Sequence, residues 1–146
     1  MKRNKGTGFT KARFEEGIRY EDILTPIIQD ALEEPISKYT IPNSKYDAYS
    51  DSFLIEIKTR NIKSTDYDSY ICIASKFKVP EEEARNVILF YYFIGDNKLF
   101  YIQYDKEVFD TFKYGISYCC PSYWIPADCF TEIDLKNTSL TSIADV

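Results

Sequence analysis

Three side chains that can do metal-assisted chemistry stand close together in the sequence: Asp47, Glu56 and Lys58. Two carboxylates, the backbone carbonyl of Ile57 and several water molecules form the kind of oxygen-ligand set that Mg²⁺ adopts in proteins. A metal ion held in this way polarises a phosphoryl oxygen and lowers the pKa of its bound water. A lysine beside that water can orient it and stabilise the charge that develops on the phosphate. The residue types therefore predict a Mg²⁺ or Mn²⁺ site for phosphate-ester hydrolysis.

The composition narrows the alternatives to this chemistry. Histidine is absent from all 146 residues, which excludes Ser-His-Asp triads, Cys-His proteases and imidazole zinc sites. The four cysteines form no C-x-x-C pair, so the spacing does not indicate a zinc site and packing is the simpler role for them. Chemistry must come from carboxylates, lysine, tyrosine, cysteine or an oxygen-bound metal.

The candidate residues lie on a predicted hairpin. Residues 44–50 and 53–59 alternate between apolar and polar side chains, which predicts two strands joined by a tight turn at Ser50-Asp51-Ser52. Glu56 and Lys58 share one face of the second strand, and Ile55 and Ile57 take the opposite, core-facing side. Asp47 lies on the neighbouring strand, so its carboxylate can converge with that of Glu56.

A helix that begins near Thr10 supplies a third carboxylate. Its apolar side chains recur at helical spacing, at positions Phe14, Ile18, Leu24, Ile28 and Leu32. Thr25-Pro26 interrupts the pattern and predicts a kink or two abutting helices. Glu21 lies near the centre of the apolar stripe, where a carboxylate is costly unless a cation meets it. We therefore expect Glu21 to approach the metal site from a helix packed over the sheet.

The remaining patterns complete an α/β chain. Ser64 or Thr65 can begin a helix that runs to about Phe77, although the β-branched content of residues 70–73 leaves a strand open. Further elements are predicted as strands at 86–94 and 98–104, a short helix at 105–113 and a last strand at 123–125. We expect a basic N-terminal arm at 1–10, one domain at 11–136 and a polar tail at 137–146.

The site residues and their order along the chain resemble the PD-(D/E)XK nuclease superfamily. The matching residues are Gly17-x-x-x-Glu21 on the first helix, then Asp47, then Glu56-Ile57-Lys58. The resemblance covers roughly residues 13–104 and implies a restriction-endonuclease-like α-β-β-β-α-β core, with a mixed sheet flanked by helices. It implies that Asp47 and Glu56 hold the metal and that Lys58 is the motif lysine. Glu21 would correspond to the helix glutamate of resolvase-like members.

Several positions depart from that pattern or compete within it. Tyr46 stands where the name of the motif expects proline. Asp51 competes with Asp47 for the first acidic role, but it falls in the predicted turn, so Asp47 is preferred. A polar residue on the next helix assists in some members of the superfamily, and Lys76 is the candidate here, ahead of Ser75.

The function implied by the resemblance is that of a Mg²⁺-dependent deoxyribonuclease. One alternative is a catalytically silent module on the same fold, which binds nucleic acid or protein within a larger phage or viral assembly. Another is a small α/β interaction domain in which Glu56-x-Lys58 is coincidental. Small nucleases of this type often act as dimers, so a homodimer is a further expectation.

The net charge of −5 disfavours contact with DNA and requires a local basic patch. The residues predicted to bind nucleic acid are Lys2, Arg3, Lys5, Lys11, Arg13, Arg60, Lys63 and Lys78. The first thirteen residues are basic and polar, and no apolar run is long enough to cross a membrane. We therefore expect an intracellular, soluble protein, located in the host cytoplasm, nucleus or virion if the source is viral.

Overall fold

A computed structural model describes residues 11–135 of the chain. The helices are α1 (Lys11–Leu32) and α2 (Lys106–Phe109), and two 3₁₀ turns span Ala74–Phe77 and Ala127–Cys129. The strands are β1 (Ser37–Lys38), β2 (Ala48–Tyr49), β3 (Phe53–Arg60), β4 (Ser69–Ile73), β5 (Asn86–Phe93), β6 (Lys98–Gln103), β7 (Lys113–Ser117), β8 (Cys120–Pro126) and β9 (Thr131–Ile133).

The strands form a mixed six-stranded sheet and a smaller antiparallel sheet. The order of the larger sheet is β1-β2-β3-β5-β6-β9, in which β3 and β5 are parallel and the other pairs are antiparallel. The smaller sheet has the order β4-β8-β7. The expectation of an α/β fold with a mixed sheet is therefore confirmed at that level.

The larger sheet is covered on both faces, which explains its apolar central strands. On one face, Leu24 and Ile28 of α1 pack against Ile55 and Ile57 of β3. On the other face, Leu54 and residues of β5 pack against the smaller sheet and the turn at Ala74–Phe77. Strands buried on both sides are typical of parallel pairings, because the crossover connection covers the sheet.

Several predicted elements are confirmed with shifted ends. The hairpin, the strands at β5 and β6 and the final strand within β8 all form, and Thr25-Pro26 lies inside one continuous α1, which excludes two abutting helices. The first hairpin strand is shorter than predicted, because only β2 pairs with β3 and residues 44–47 leave the ladder. The helix at 105–113 ends at Phe109, and Lys113 begins β7.

The predicted helix from Ser64 or Thr65 to Phe77 is wrong, and the strand left open for residues 70–73 is the structure that forms. Residues Ser69–Ile73 form β4, which pairs with β8, and only Ala74–Phe77 is helical, as a single 3₁₀ turn. Tyr70 and Cys72 point inward while Ile71 and Ile73 are exposed, which is the alternation of a strand. The strand partner lies far along the chain, so the β-branched and aromatic residues here follow tertiary pairing rather than local helical spacing.

Gly95 fixes the turn between β5 and β6 against the loop after β3. Its N–H donates to the carbonyl of Ile62 at 3.0 Å, and an added Cβ would lie 2.8 Å from the carbonyl carbon and oxygen of Ile62. We expect Gly95→Ala to lower the free energy of unfolding by about 1–3 kcal/mol, because rigid backbone must move.

Gly115→Ala is the matched control in urea unfolding. Its added Cβ would meet only the ring of Trp124 at 3.8 Å, an ordinary van der Waals distance. Equal losses of stability in the two variants would contradict the close approach of Gly95 to Ile62.

Candidate functional site

Glu56 is the one charged side chain among the buried residues of the described part of the chain, with 6% of its surface exposed. Its position in β3 directs it toward the smaller sheet rather than toward α1. Lys58 Nζ lies 3.2 Å from Glu56 Oε2, and Lys76 Nζ lies 3.2 Å from Glu56 Oε1. Burial of a carboxylate costs several kcal/mol unless cations offset it. The two ammonium groups therefore offset part of the cost of burying the Glu56 carboxylate.

One carboxylate oxygen of Glu56 accepts no hydrogen bond in the structure. Oε1 is fully buried, and despite the nearby ammonium group of Lys76 it accepts no hydrogen bond. Buried polar atoms normally find a hydrogen-bond partner, and exceptions often mark a functional position. Oε1 is therefore available to a further donor or a cation.

Asp47 directly precedes β2. Its side chain accepts a hydrogen bond from β3 that the backbone of a paired strand would otherwise accept. Its N–H donates to the carbonyl of Ile55 at 3.0 Å, and its Oδ2 accepts from the N–H of Ile57 at 2.7 Å. The N–H and C=O of one strand residue point to the same edge of the strand. The carbonyl of Ile57 is therefore directed to the edge that Asp47 occupies.

The carboxylates of this region influence one another. Burial raises the pKa of Asp47, the negative charge of Glu56 raises it further, and the N–H of Ile57 opposes the shift. Burial also raises the pKa of Glu21 to about 7, with further increases from Asp47 and Glu56 and a decrease from Lys38. Glu21 approaches from the α1 face and Glu56 from the opposite face. The charge of Asp47 thus raises the pKa of Glu21, and the charge of Glu56 raises the pKa of both.

These carboxylates do not form a closed metal cage. Within residues 11–135, no group of three or more Asp, Glu, Cys or His side chains is arranged to hold a metal ion. Asp47 accepts from the N–H of Ile57 and feels the charge of Glu56, so the candidate donors are the carboxylates of Asp47 and Glu56 and the carbonyl of Ile57. Such a set suits an ion that keeps most of its water ligands.

The turn after β4 brings Lys76 to Glu56, and Tyr46 holds that turn. The Tyr46 hydroxyl donates to the carbonyl of Lys76 at 2.5 Å, and Lys76 Nζ donates to the carbonyl of Lys45. Tyr46 is buried, and burial together with the charge of Glu56 raises its pKa to about 12. The tyrosine at the position where the motif name expects proline therefore anchors a lysine of the site.

Sequence reasoning missed Lys45. Its Nζ donates to the carbonyl of Lys78 at 2.5 Å, so it links the segment before β2 to the end of the 3₁₀ turn. The lysine itself is visible in the run Ser44-Lys45-Tyr46-Asp47. Its partners are not, because they depend on the long-range approach of residues 76–78.

The other predicted site residues are dispersed. Asp51 is exposed in the hairpin turn, and Ser75 is exposed beside Lys76. Arg60 lies over the ring of Tyr91, and the backbone N–H of Lys63 is bound by Asp66. Lys78 is exposed next to Lys45, and Lys11 is exposed at the start of α1. Lys2, Arg3 and Lys5 lie outside the described residues, as does the side chain of Arg13.

Comparisons with family models, with curated proteins and with solved structures gave no match for this chain. In the described residues, no helix is long and apolar enough to cross a membrane. The function must therefore be inferred from the geometry around Glu56.

The shifted pKa of Glu21 predicts a pH-dependent stability. Because its pKa rises from 4.5 to about 7 in the folded protein, the folded state binds the proton more tightly than the unfolded state. The stabilising effect of that proton is present below about pH 4.5 and is lost as the pH rises through 7. We expect Glu21→Gln to melt like the wild type near pH 4.5 and at a higher temperature at pH 8, measured in EDTA.

Glu132→Gln is the control for the change in net charge, because Glu132 is exposed on β9. The same dependence of melting temperature on pH in the two variants would show that the folded state does not raise the pKa of Glu21.

Proposed function

We propose that this protein is a metal-dependent nuclease that hydrolyses DNA phosphodiester bonds, with Asp47, Glu56 and Lys58 at its centre. The observation that carries the proposal is the buried Glu56, which lies between two lysines and has one oxygen without a hydrogen bond. A site of this kind combines anionic ligands for a cation with cationic groups for a phosphate. Metal-assisted phosphodiester hydrolysis uses both.

The order of the elements supports a restriction-endonuclease-like core. α1 precedes an antiparallel run of β1, β2 and β3, and the chain then crosses over to β5, parallel to β3. The crossover passes through β4 and a 3₁₀ turn instead of the helix that the resemblance implies. That departure places Lys76 on a tight turn, held by Tyr46, rather than on a helix.

The residues present fit a Mg²⁺ or Mn²⁺ ion. Asp47, Glu56 and the carbonyl of Ile57 would hold it, and Glu56 Oε1 has the free acceptor capacity that a ligand oxygen requires. When bound, such an ion polarises a phosphoryl oxygen and lowers the pKa of a bound water. An ion would compete for Glu56 with the ammonium groups of Lys58 and Lys76.

The chain's own residues then have distinct tasks. Lys58, released from Glu56, orients the attacking water and stabilises the negative charge on the phosphate. Lys76 supplies a second positive charge on the other oxygen of Glu56. Glu21, whose pKa is about 7, can hold or release a proton near neutral pH.

A silent nuclease-fold module is the second candidate. Both oxygens of Glu56 already lie 3.2 Å from an ammonium group, so the charge of the carboxylate is balanced without a metal ion. In that case the protein binds nucleic acid or another protein without cleaving it. Glu56 then has only a structural role, through its ion pairs with Lys58 and Lys76.

Cleavage of supercoiled plasmid and of a four-way DNA junction, in Mg²⁺ or Mn²⁺, tests the nuclease. We expect Glu56→Gln and Lys58→Ala to lower the rate about 100-fold or more, because the first removes a ligand of the metal ion and the second removes a positive charge beside the reacting phosphate. Glu107→Gln and Lys106→Ala are the matched controls, since both side chains are exposed on α2.

Undiminished cleavage by both site variants would refute the roles assigned to Glu56 and Lys58. DNA binding by the wild type without cleavage in either metal would favour the silent module.

Metal binding has a readout that does not require activity. A ligand that binds only the folded state raises the melting temperature, so we expect Mg²⁺ or Mn²⁺ to raise it in the wild type and not in Asp47→Asn. Asp51→Asn is the control, because Asp51 is exposed in the hairpin turn. Loss of the shift in Asp51→Asn alone would transfer the first acidic role to Asp51.

A further inference from the structure

Three lysines meet at the rim of the proposed site, where residues 45–46 contact residues 76–78. Lys76 pairs with Glu56, whereas no carboxylate of the described residues forms an ion pair with Lys45 or Lys78. Lys45 and Lys78 are both exposed. The rim therefore carries two positive charges without a counter-ion from the described part of the chain.

The cluster is held in place by backbone carbonyls. Lys45 Nζ donates to the carbonyl of Lys78 at 2.5 Å, and Lys76 Nζ donates to the carbonyl of Lys45. An ammonium group has three N–H donors, so each of these groups retains donors for a ligand. Long lysine side chains normally lose rotamer freedom when they bind a ligand, and here part of that cost is already met in the fold.

The aromatic ring of Tyr46 lies beside two of these ammonium groups. Lys45 Nζ lies 5.6 Å from the centroid of the Tyr46 ring, and Lys76 Nζ lies 5.8 Å from it. The hydroxyl of the same ring is bonded to the carbonyl of Lys76. The ring thus contacts both lysines, and the residue that carries it directly precedes the proposed metal ligand Asp47.

The lysines repel one another in the absence of a ligand. Lys45 Nζ and Lys76 Nζ lie within 6 Å of the same ring centroid, so two like charges are held close together. An anion placed beside the ammonium groups of Lys45 and Lys76 would relieve this repulsion. The nucleic-acid backbone supplies one negative charge per phosphate, with oxygens that accept from ammonium groups.

We propose that Lys45 and Lys78, together with Lys76, bind a backbone phosphate of the nucleic acid next to the bond that is cut. The inference rests on the proposed function for the location of that bond. It assigns Lys45 a role in binding the substrate and identifies its ligand as a phosphodiester. The site recognises charge and not base sequence, because ammonium contacts with phosphate carry no base information.

The test measures binding of the full chain to a fluorescein-labelled DNA duplex in EDTA, by anisotropy over a range of salt concentrations. We expect Lys45→Gln with Lys78→Gln to weaken the affinity about tenfold at moderate salt. The slope of log Kd against log salt should fall by about 0.9 for each phosphate that the variant no longer neutralises. Lys45→Arg should keep most of the affinity that the single variant Lys45→Gln loses, because arginine retains the positive charge.

Lys106→Gln is the charge-matched control, since it removes one positive charge from α2, where Lys106 pairs with Asp110. Thermal melting checks that the variants remain folded, because Lys45 also tethers the turn at Lys78. Equal weakening by Lys106→Gln and Lys45→Gln would show that net charge alone acts and would overturn the site. An unchanged slope in the double variant would overturn it as well.

The outcomes separate this inference from the proposed nuclease. Metal-dependent cleavage that requires Glu56, with unchanged DNA binding in the lysine variants, retains the nuclease and rejects the phosphate site. Weakened binding in those variants, without cleavage by the wild type, retains the phosphate site and rejects the nuclease. No measurable DNA binding by the wild type in EDTA or in Mg²⁺ rejects both.

Discussion

The negative charge of Glu56, buried in the middle of β3, is the constraint on which the rest of the structure depends. A lone carboxylate at this depth would be neutralised or would destabilise the fold. Two lysines form ion pairs with this carboxylate: Lys58 from the same strand and Lys76 from the turn after β4. Lys76 can reach Glu56 only if β4 and its turn pack over β3, and the Tyr46 hydroxyl holds the turn there. The electrostatics of one side chain thus couple the position of the smaller sheet to that of the larger one.

The sequence predicts most of the larger sheet, because its signals are local. The turn at Ser50-Asp51-Ser52 and the apolar runs of β5 and β6 define two hairpins between neighbours in the chain. The alternation in β3 is by itself sufficient to place Glu56 and Lys58 on one face of the strand. The helix expected up to Phe77 fails for the opposite reason. Its residues pair with β8, far away in sequence, and local spacing carries no information about such a partner.

The site shows the same division between local and long-range signals. Glu21 can be singled out from the sequence because it places a carboxylate on an apolar helix stripe, and Glu56 because of its spacing from Asp47 and Lys58. Departures from otherwise consistent patterning tend to coincide with functional positions. The bond from the N–H of Ile57 to Asp47 follows in outline from the hairpin register. The contacts of Lys45 with the turn at Lys78 require the correct fold of residues 69–78, which the sequence pattern misassigned.

The acidic net charge and the lysine cluster are compatible because they act over different distances. At physiological ionic strength, charges separated by more than about 8 Å are largely screened, so the net charge of −5 adds little repulsion once a phosphate lies at the rim. Lys45 and Lys76 both lie within 6 Å of the Tyr46 ring, well inside that length. A ligand that reaches the rim therefore meets the local field of the lysines rather than the average charge of the protein. The carboxylates of Asp47 and Glu56, just behind the lysines, would repel a phosphate in the absence of a cation. Binding at the rim and metal binding behind it should consequently favour one another, since each offsets the charge that opposes the other.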